Sequence, residues 1–233
     1  MQHFFVNQDL SGSHAVITDC ELLHQLLHVL RFEKNDECVL LDGNGGKSNG
    51  IVETIDKKAA IMKLNDYQTF EKLKRSIALY IAISKKPATF EFIIQKATEL
   101  GVTDIIPIIT ERCQVREIRN EKRLLTIIKE SAEQCERVFL PKFHPVLKFT
   151  NFIENPPPGK ILTGDARMHD IELGKTKISA NESVNLVIGP EGGLTEKELS
   201  EIHKIGGQIF ILGSNVLRME TAAVATLAVI LFR

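Results

Sequence analysis

The chain has 233 residues, 43% hydrophobic and 25% charged, with a formal net charge of −1, a composition that fits a globular protein and excludes disordered and collagen-like chains. Four cysteines (Cys20, Cys38, Cys113, Cys135) form no CxxC pair, so reduced, mostly buried thiols are expected in place of a disulfide frame or a zinc site. Residues 1–10 lack the basic-then-apolar order of a secretory leader, and the longest nearly apolar run, residues 222–232, is shorter than the roughly 20 residues that cross a bilayer, so a cytoplasmic protein without a membrane partner is expected.

Residues 1–70 read as a β-rich first domain. Short apolar or alternating runs at 14–18, 37–41, 50–55 and 59–64 are separated by Gly, Asn, Asp and Lys turns. Between the first two, Leu23, Leu26, Leu27 and Leu30 recur at helical spacing and predict one helix over 21–30. Several short strands with one helix imply a small barrel.

A second domain is expected over 71–233. The run 76–83 is continuously apolar, as in a strand buried on both faces of a parallel sheet. Phe90, Ile93, Ile94, Ala97 and Leu100 then mark a helix over 88–100 that stops at Gly101. A strand over 102–109 follows, then a helix capped by Asn120 with Leu124, Ile127, Ile128, Ser131 and Cys135 facing inward. After the loop Pro156-Pro157-Pro158, strands are expected at 160–163, 184–188 and 208–212. Thr195 and Glu198 form a capping box before the last of these, and a final helix covers 220–232. Alternating strands and helices imply an α/β domain with a mostly parallel sheet.

Charge is uneven along the chain. Residues 71–148 hold 15 Lys/Arg against 10 Asp/Glu, while both flanking thirds are net acidic. Phosphate binding depends on local cations, so this segment permits a nucleic-acid partner, although a solvated helix face has the same composition.

Two strand-end loops carry the strongest signal. Gly189-Pro190-Glu191-Gly192-Gly193-Leu194-Thr195 has three glycines that allow close backbone approach to a ligand, and a proline that stiffens the turn. In Leu212-Gly213-Ser214-Asn215-Val216-Leu217-Arg218-Met219-Glu220-Thr221 a glycine again ends a strand, and Arg218 and Glu220 stand at the start of a helix. Ligands of open α/β sheets bind beyond the carboxyl ends of the strands, so two such loops on neighbouring strands would form one pocket. Either loop alone is equally a tight strand-to-helix connection, and Arg218 with Glu220 alone is equally a local salt bridge. Other chemistries are excluded. Gly43-Asn44-Gly45-Gly46-Lys47-Ser48 has Leu41 where a phosphate loop needs glycine, no G-x-G-x-x-G follows a strand, and H-E-x-x-H and G-x-S-x-G are absent. His24 and His28 read as a surface pair, and no metal is expected.

With these loops, the chain resembles the SPOUT superfamily, and more closely the RsmE family of ribosomal RNA methyltransferases. The resemblance runs in order through His28-Val29-Leu30-Arg31, Gln95-Lys96-Ala97-Thr98-Glu99-Leu100-Gly101, Glu111-Arg112-Cys113 and Glu130-Ser131-Ala132-Glu133-Gln134-Cys135. It ends with Gly189-Pro190-Glu191-Gly192-Gly193 and Leu217-Arg218-Met219-Glu220-Thr221-Ala222. It implies a small N-terminal PUA-like β-barrel and an α/β methyltransferase domain with a trefoil knot, in which the chain after about Val184 threads a preceding loop. It implies a homodimer and S-adenosyl-L-methionine as methyl donor. The donor would be held by Leu162, Thr163, Ile188 to Gly193, Leu212 to Leu217, Thr221 and Ala222. The acceptor would be N3 of a uridine in 16S ribosomal RNA of the small subunit. That RNA would be gripped by Arg31, Lys85, Lys86, Arg112 and Arg116. Arg218 would stabilise the charge that develops on the uracil, and Glu220 or Glu191 would act as base or orient Arg218. A SPOUT enzyme for ribose or another base, and a non-catalytic RNA-binding assembly factor, share many of these features.

Overall fold

Backbone packing in the computed structural model, which describes residues 1–232, divides the chain into two units: Met1–Lys72 with Ala132–Leu140, and Leu73–Ser131 with Pro141–Arg233. The division after Lys72 lies close to the boundary read at 70, but residues 132–140 return to the first unit.

The first unit is a five-stranded sheet in the order β1-β3-β4-β5-β2, with β1 His3–Phe5, β2 His14–Ile17, β3 Glu37–Leu41, β4 Gly46–Ile55 and β5 Ala60–Thr69. β1 runs parallel to β3 and the other pairings are antiparallel. β3 is apolar on both faces because both are covered. Cys38 and Leu40 join the core formed by Phe4, Leu10, Leu26, Val52 and Met62. Val39 and Leu41 pack with Phe5, Ala132 and Val138. Residues 132–140 are held by backbone bonds from Gly45 N to Val138 O at 3.2 Å and Leu140 N to Gly43 O at 3.2 Å, and by Glu133 Oε1, which accepts from Phe5 N at 2.9 Å.

One expectation for this unit needs correction. The helix read over 21–30 is α-helical only from Cys20 to His24 (α1) and continues as a π turn, Gln25–Val29, closed by Leu30 N to Gln25 O at 2.9 Å. The widened turn shifts the apolar stripe, so Leu22, Leu23 and Leu26 are buried while Leu27 and Leu30 stay partly exposed. The Gly43–Ser48 stretch is a turn built on Asp42, whose Oδ1 accepts from Asn44 N at 2.7 Å and Gly46 N at 2.8 Å. Those amides are therefore occupied by the Asp42 carboxylate. His24 and His28 stack at 5.0 Å, and among the described residues no group of three potential ligands is placed to hold a metal.

The second unit is an eight-stranded sheet. Its order is β11-β13-β10-β12-β6-β7-β8, with β9 also on β7, and every pairing is parallel. The strands are β6 Ile77–Ala82, β7 Asp104–Ile109, β8 Lys142–Phe143, β9 Leu147–Lys148, β10 Lys160–Gly164, β11 Ile171–Glu172, β12 Val184–Ile188 and β13 Gln208–Ile211. β6 and β12 are buried at every position, which is why their sequences show no alternation. The helices are α2 Pro87–Leu100, α3 Glu121–Gln134, α4 Phe149–Glu154, α5 Glu196–Lys204 and α6 Met219–Leu231. Local chemistry sets their ends. Pro87 starts α2 and Gly101 ends it, Asn120 Oδ1 caps α3 by accepting from Arg123 N at 3.1 Å, and the Thr195–Glu198 box starts α5. Truncating a fully buried side chain such as Ile93 in this core would cost about 2–5 kcal/mol. Among the described residues no helix is long and apolar enough to cross a membrane.

Candidate active site

Strand order locates the cleft. From β6 the chain steps outward to β7, whereas β12, β10 and β13 lie on the other side of β6, so the order reverses between β6 and β12. Ligand crevices of open parallel sheets form at such a reversal, beyond the carboxyl ends of the strands. Residues from the loops after β6, β7, β10, β12 and β13 line a cleft of about 700 Å³ at this edge.

The loop after β12 has a backbone that favours glycine. Gly193 N donates to Pro190 O at 2.8 Å, closing a turn that puts Gly193 at φ +70°. At Gly189 a Cβ would lie 3.1 Å from the Leu194 amide nitrogen, so the chain folds back against itself there. Neighbouring strand ends tie this loop down. The Ser84 hydroxyl donates to Glu191 Oε1 at 2.6 Å and accepts from Lys86 N at 3.1 Å. Arg112 Nη1 donates to Gly192 O at 2.8 Å and Leu194 O at 3.1 Å. Glu198 Oε2 accepts from Thr195 N at 2.8 Å, and its Oε1 accepts from Glu111 N at 2.8 Å.

The loop after β13 leads to α6 with Arg218 at the N-cap position in extended conformation. Arg218 is exposed, and both it and Glu220 line the cleft. No salt bridge joins them among the described residues, so the guanidinium is available to a ligand. Buried Leu194, Leu199, Phe210 and Met219 form apolar walls. Thr226, also on the lining, has a buried hydroxyl with no hydrogen-bond partner among the described residues. Cations (Lys85, Lys86, Arg112, Arg167, Arg218) and carboxylates (Asp165, Glu191, Glu196, Glu220) are mixed around the rim. Burial pushes the Glu191 carboxyl up. The Ser84 hydroxyl, backbone amides of Glu191 and Lys85 and the Lys85 charge outweigh it and hold the group below its ordinary range.

Of the residues expected at the cofactor site, Ile188, Gly189, Pro190, Glu191, Gly192, Gly193, Leu212, Asn215, Val216, Leu217 and Ala222 line the cleft. Leu162 and Thr163 are fully buried, and the Thr163 hydroxyl donates to Val187 O at 2.9 Å. Gly213, Ser214 and Thr221 are exposed but outside the lining. Of the expected RNA contacts, Lys85, Lys86 and Arg112 reach the cleft, Arg116 is exposed on the loop before α3, and Arg31 belongs to the first unit at φ +56°. Sequence reasoning missed the wall formed by Gly164, Asp165, Ala166, Arg167 and Met168. The signal was present, since Gly164-Asp165 ends β10 as Gly189 and Gly213 follow the ends of β12 and β13. Ser84, Phe210 and Thr226 were also missed, because their roles depend on which strands and helices are neighbours.

Comparison with known proteins identifies the family. A family model described as an RNA methyltransferase domain matches residues 71–231, and one described as an RNA methyltransferase PUA domain matches residues 17–64. The chain is 35% identical over 211 residues to the ribosomal RNA small subunit methyltransferase E of Synechocystis, covering 88% of this chain and 69% of that protein. With the protein of the same name from Rickettsia conorii it shares 30% identity over 208 residues, covering 88% and 84%. Among solved structures, ribosomal RNA small subunit methyltransferase E of Neisseria gonorrhoeae, bound to S-adenosyl methionine, superimposes with a TM-score of 0.88 at 29% identity, covering 98% of this chain and 95% of that one.

Proposed function

The chain belongs to the ribosomal RNA small subunit methyltransferase E family, and from that premise we propose that it methylates N3 of a specific uridine in 16S RNA of the small ribosomal subunit, using S-adenosylmethionine. The observation that carries this reading is the convergence of the glycine loop and an unpaired Arg218 on one cleft.

The cleft fits the donor. A glycine-built cradle, apolar walls at Leu199 and Phe210 and an orphan hydroxyl at Thr226 suit a ligand with a flat heteroaromatic part and polar ends. When bound, S-adenosylmethionine supplies an electrophilic methyl group on a sulfonium. The protein aligns donor and acceptor for in-line displacement. Residues Ile188 to Gly193 and Leu212 to Leu217, with Ala222, form the cradle, and backbone groups of Leu162, Thr163 and Gly213 with Ser214 and Thr221 support it. Uridine N3 bears a proton and is a poor nucleophile at neutral pH. Arg218 pairs with a uracil carbonyl oxygen as negative charge develops, and Glu220 accepts the proton or orients the base. Glu191, tied to Ser84 and held ionised, is a weak base and has a structural role. The target base must leave its stack to reach the cleft.

The same premise extends to the surroundings. The first unit closes as a PUA-like barrel that grips RNA through Arg31, and Lys85, Lys86 and Arg116 contact the phosphate backbone. The second unit is a SPOUT domain whose last strands form a trefoil knot, a reading supported by the position of β13 beyond β10. The enzyme acts as a cytoplasmic homodimer. In support, α6 is apolar nearly all round yet leaves Phe232 exposed, and α2, which packs against it, leaves Phe92 exposed.

The test is nucleoside mass analysis of unmodified small-subunit RNA, both naked and as assembled subunits, after incubation with the protein and S-adenosylmethionine. The expected product is 3-methyluridine. A ribose-methylated nucleoside would reassign the acceptor, and absence of both methyl product and cofactor binding would leave an RNA-binding assembly factor.

A further inference from the structure

We propose that Ser84 and Arg112 are positioning residues that tie the glycine loop to the ends of β6 and β7 and hold the cleft in its ligand-binding shape before any ligand arrives. The inference rests on the reading of this cleft as the S-adenosylmethionine site.

On the β6 side the tie is the Ser84–Glu191 bond at 2.6 Å. Ser84 is buried, and its oxygen is fixed in turn by Lys86 N, so the carboxylate meets a rigid donor. On the β7 side one nitrogen of Arg112 bridges Gly192 O and Leu194 O, the carbonyls that flank Gly193. Its aliphatic stem lies over Gly192, where a Cβ would sit 3.5 Å from Arg112 Cδ. Glu111 N adds a bond to Glu198, the residue that closes the capping box of α5. The loop is thus held from two successive strand ends, β6 and β7, while its own turn contributes the backbone bond from Gly193 N to Pro190 O.

This arrangement gives Arg112 a role different from phosphate contact. A guanidinium directed at two backbone carbonyls stabilises a loop conformation that glycine would otherwise let vary, because glycine has the most backbone freedom to lose. Ordering the loop in advance removes that loss from the binding step and strengthens affinity for the ligand. A lysine replaces the planar fork with a single flexible ammonium and would reproduce the effect only in part.

The experiment compares wild type with Arg112→Ala, Arg112→Lys and Ser84→Ala. Amide hydrogen exchange is measured without ligand, then S-adenosylmethionine affinity by calorimetry, then RNA affinity as a function of salt. Exchange in residues 191–194 should rise in Arg112→Ala and Ser84→Ala while β6 and α2 stay protected, which also shows that the variants are folded. Affinity for S-adenosylmethionine should fall roughly tenfold or more in Arg112→Ala, as expected for charge-assisted bonds, and recover in part in Arg112→Lys. KM for S-adenosylmethionine should rise far more than KM for RNA, and the salt slope of RNA binding should not change. Unchanged loop exchange in both alanine variants overturns the clamp. So does a salt slope reduced by about one with S-adenosylmethionine affinity intact, which would make Arg112 a phosphate contact. Failure of the wild-type protein to bind S-adenosylmethionine overturns the reading of the cleft itself, and is distinguishable because exchange is measured without ligand.

Discussion

The Ser84 hydroxyl donates to Glu191 Oε1 across 2.6 Å, joining the end of β6 to the loop after β12 at the point where the strand order of the sheet reverses. Because this bond favours the ionised carboxylate, the folded-state pKa of Glu191 lies below its ordinary value. A depressed carboxyl pKa contributes stability above the unfolded-state value, and that contribution is lost as pH falls through the folded one. The stability difference between wild type and Ser84→Ala should therefore be full at neutral pH and shrink in acid below about pH 4.5. Thermal melts between pH 3 and 7 read this directly. A difference that grows on acidification would show that Ser84 does not act through the Glu191 carboxylate.

Arg218 lines the cleft without a partner among the described residues, which is the condition for a group reserved for charge that develops during reaction. Arg218→Ala should lower kcat by about 10²–10³ while leaving S-adenosylmethionine affinity within twofold, the pattern of an interaction made only in the transition state. Single-turnover kinetics with calorimetry would check both halves, and normal turnover would remove Arg218 from the mechanism.

The buried hydroxyl of Thr226 is an unpaired polar atom inside α6. Such a group costs about 1–3 kcal/mol, so Thr226→Val should raise the melting temperature of the ligand-free protein by a few degrees. If the hydroxyl serves the bound donor, the same variant should bind S-adenosylmethionine more weakly. A lower melting temperature would mean that the hydroxyl has a partner in solution.

If Lys85, Lys86, Arg116 and Arg31 contact phosphates as proposed, binding to RNA should weaken steeply with salt, because counterions are released. Plotting log affinity against log salt gives the number of contacts, and replacing Lys85 and Lys86 together should reduce the slope. A flat profile would remove the basic segment from the footprint.

Much of the second unit was legible because its local signals and tertiary environment agree. β6 and β12 read as continuous apolar runs since both of their faces are covered, and Gly101, Asn120 and the Thr195–Glu198 pair mark helix ends with side-chain or backbone chemistry that needs no distant partner. The glycine loop was visible for the same reason, since its conformational demand is written in Gly189, Gly192 and Gly193. β1 was not, because three residues carry no period and their order comes from pairing with β3, more than thirty residues away. The return of residues 132–140 to the first unit was equally hidden, since Ala132 and Val138 pack against Phe5, Val39 and Leu41. In α1 the leucine spacing was correct, but a π turn redirected it.

The amino-acid sequence by itself therefore determined the longer strands and helices of the second unit, the two glycine-bearing strand-end loops and the chemical identity of Arg218 and Glu220, because periodicity, caps and glycine conformations act over a few residues. Only the tertiary structure decided that β6 and β12 would be neighbours. That adjacency brings Ser84 to Glu191 and Arg112 to the carbonyls of Gly192 and Leu194, while the pairing of β10 with β12 and β13 puts the Gly164–Met168 wall on the same cleft as Arg218. These contacts join residues up to about a hundred positions apart, and their geometry comes from the register of a parallel sheet, which is set by packing on both of its faces and leaves no periodic trace along the chain.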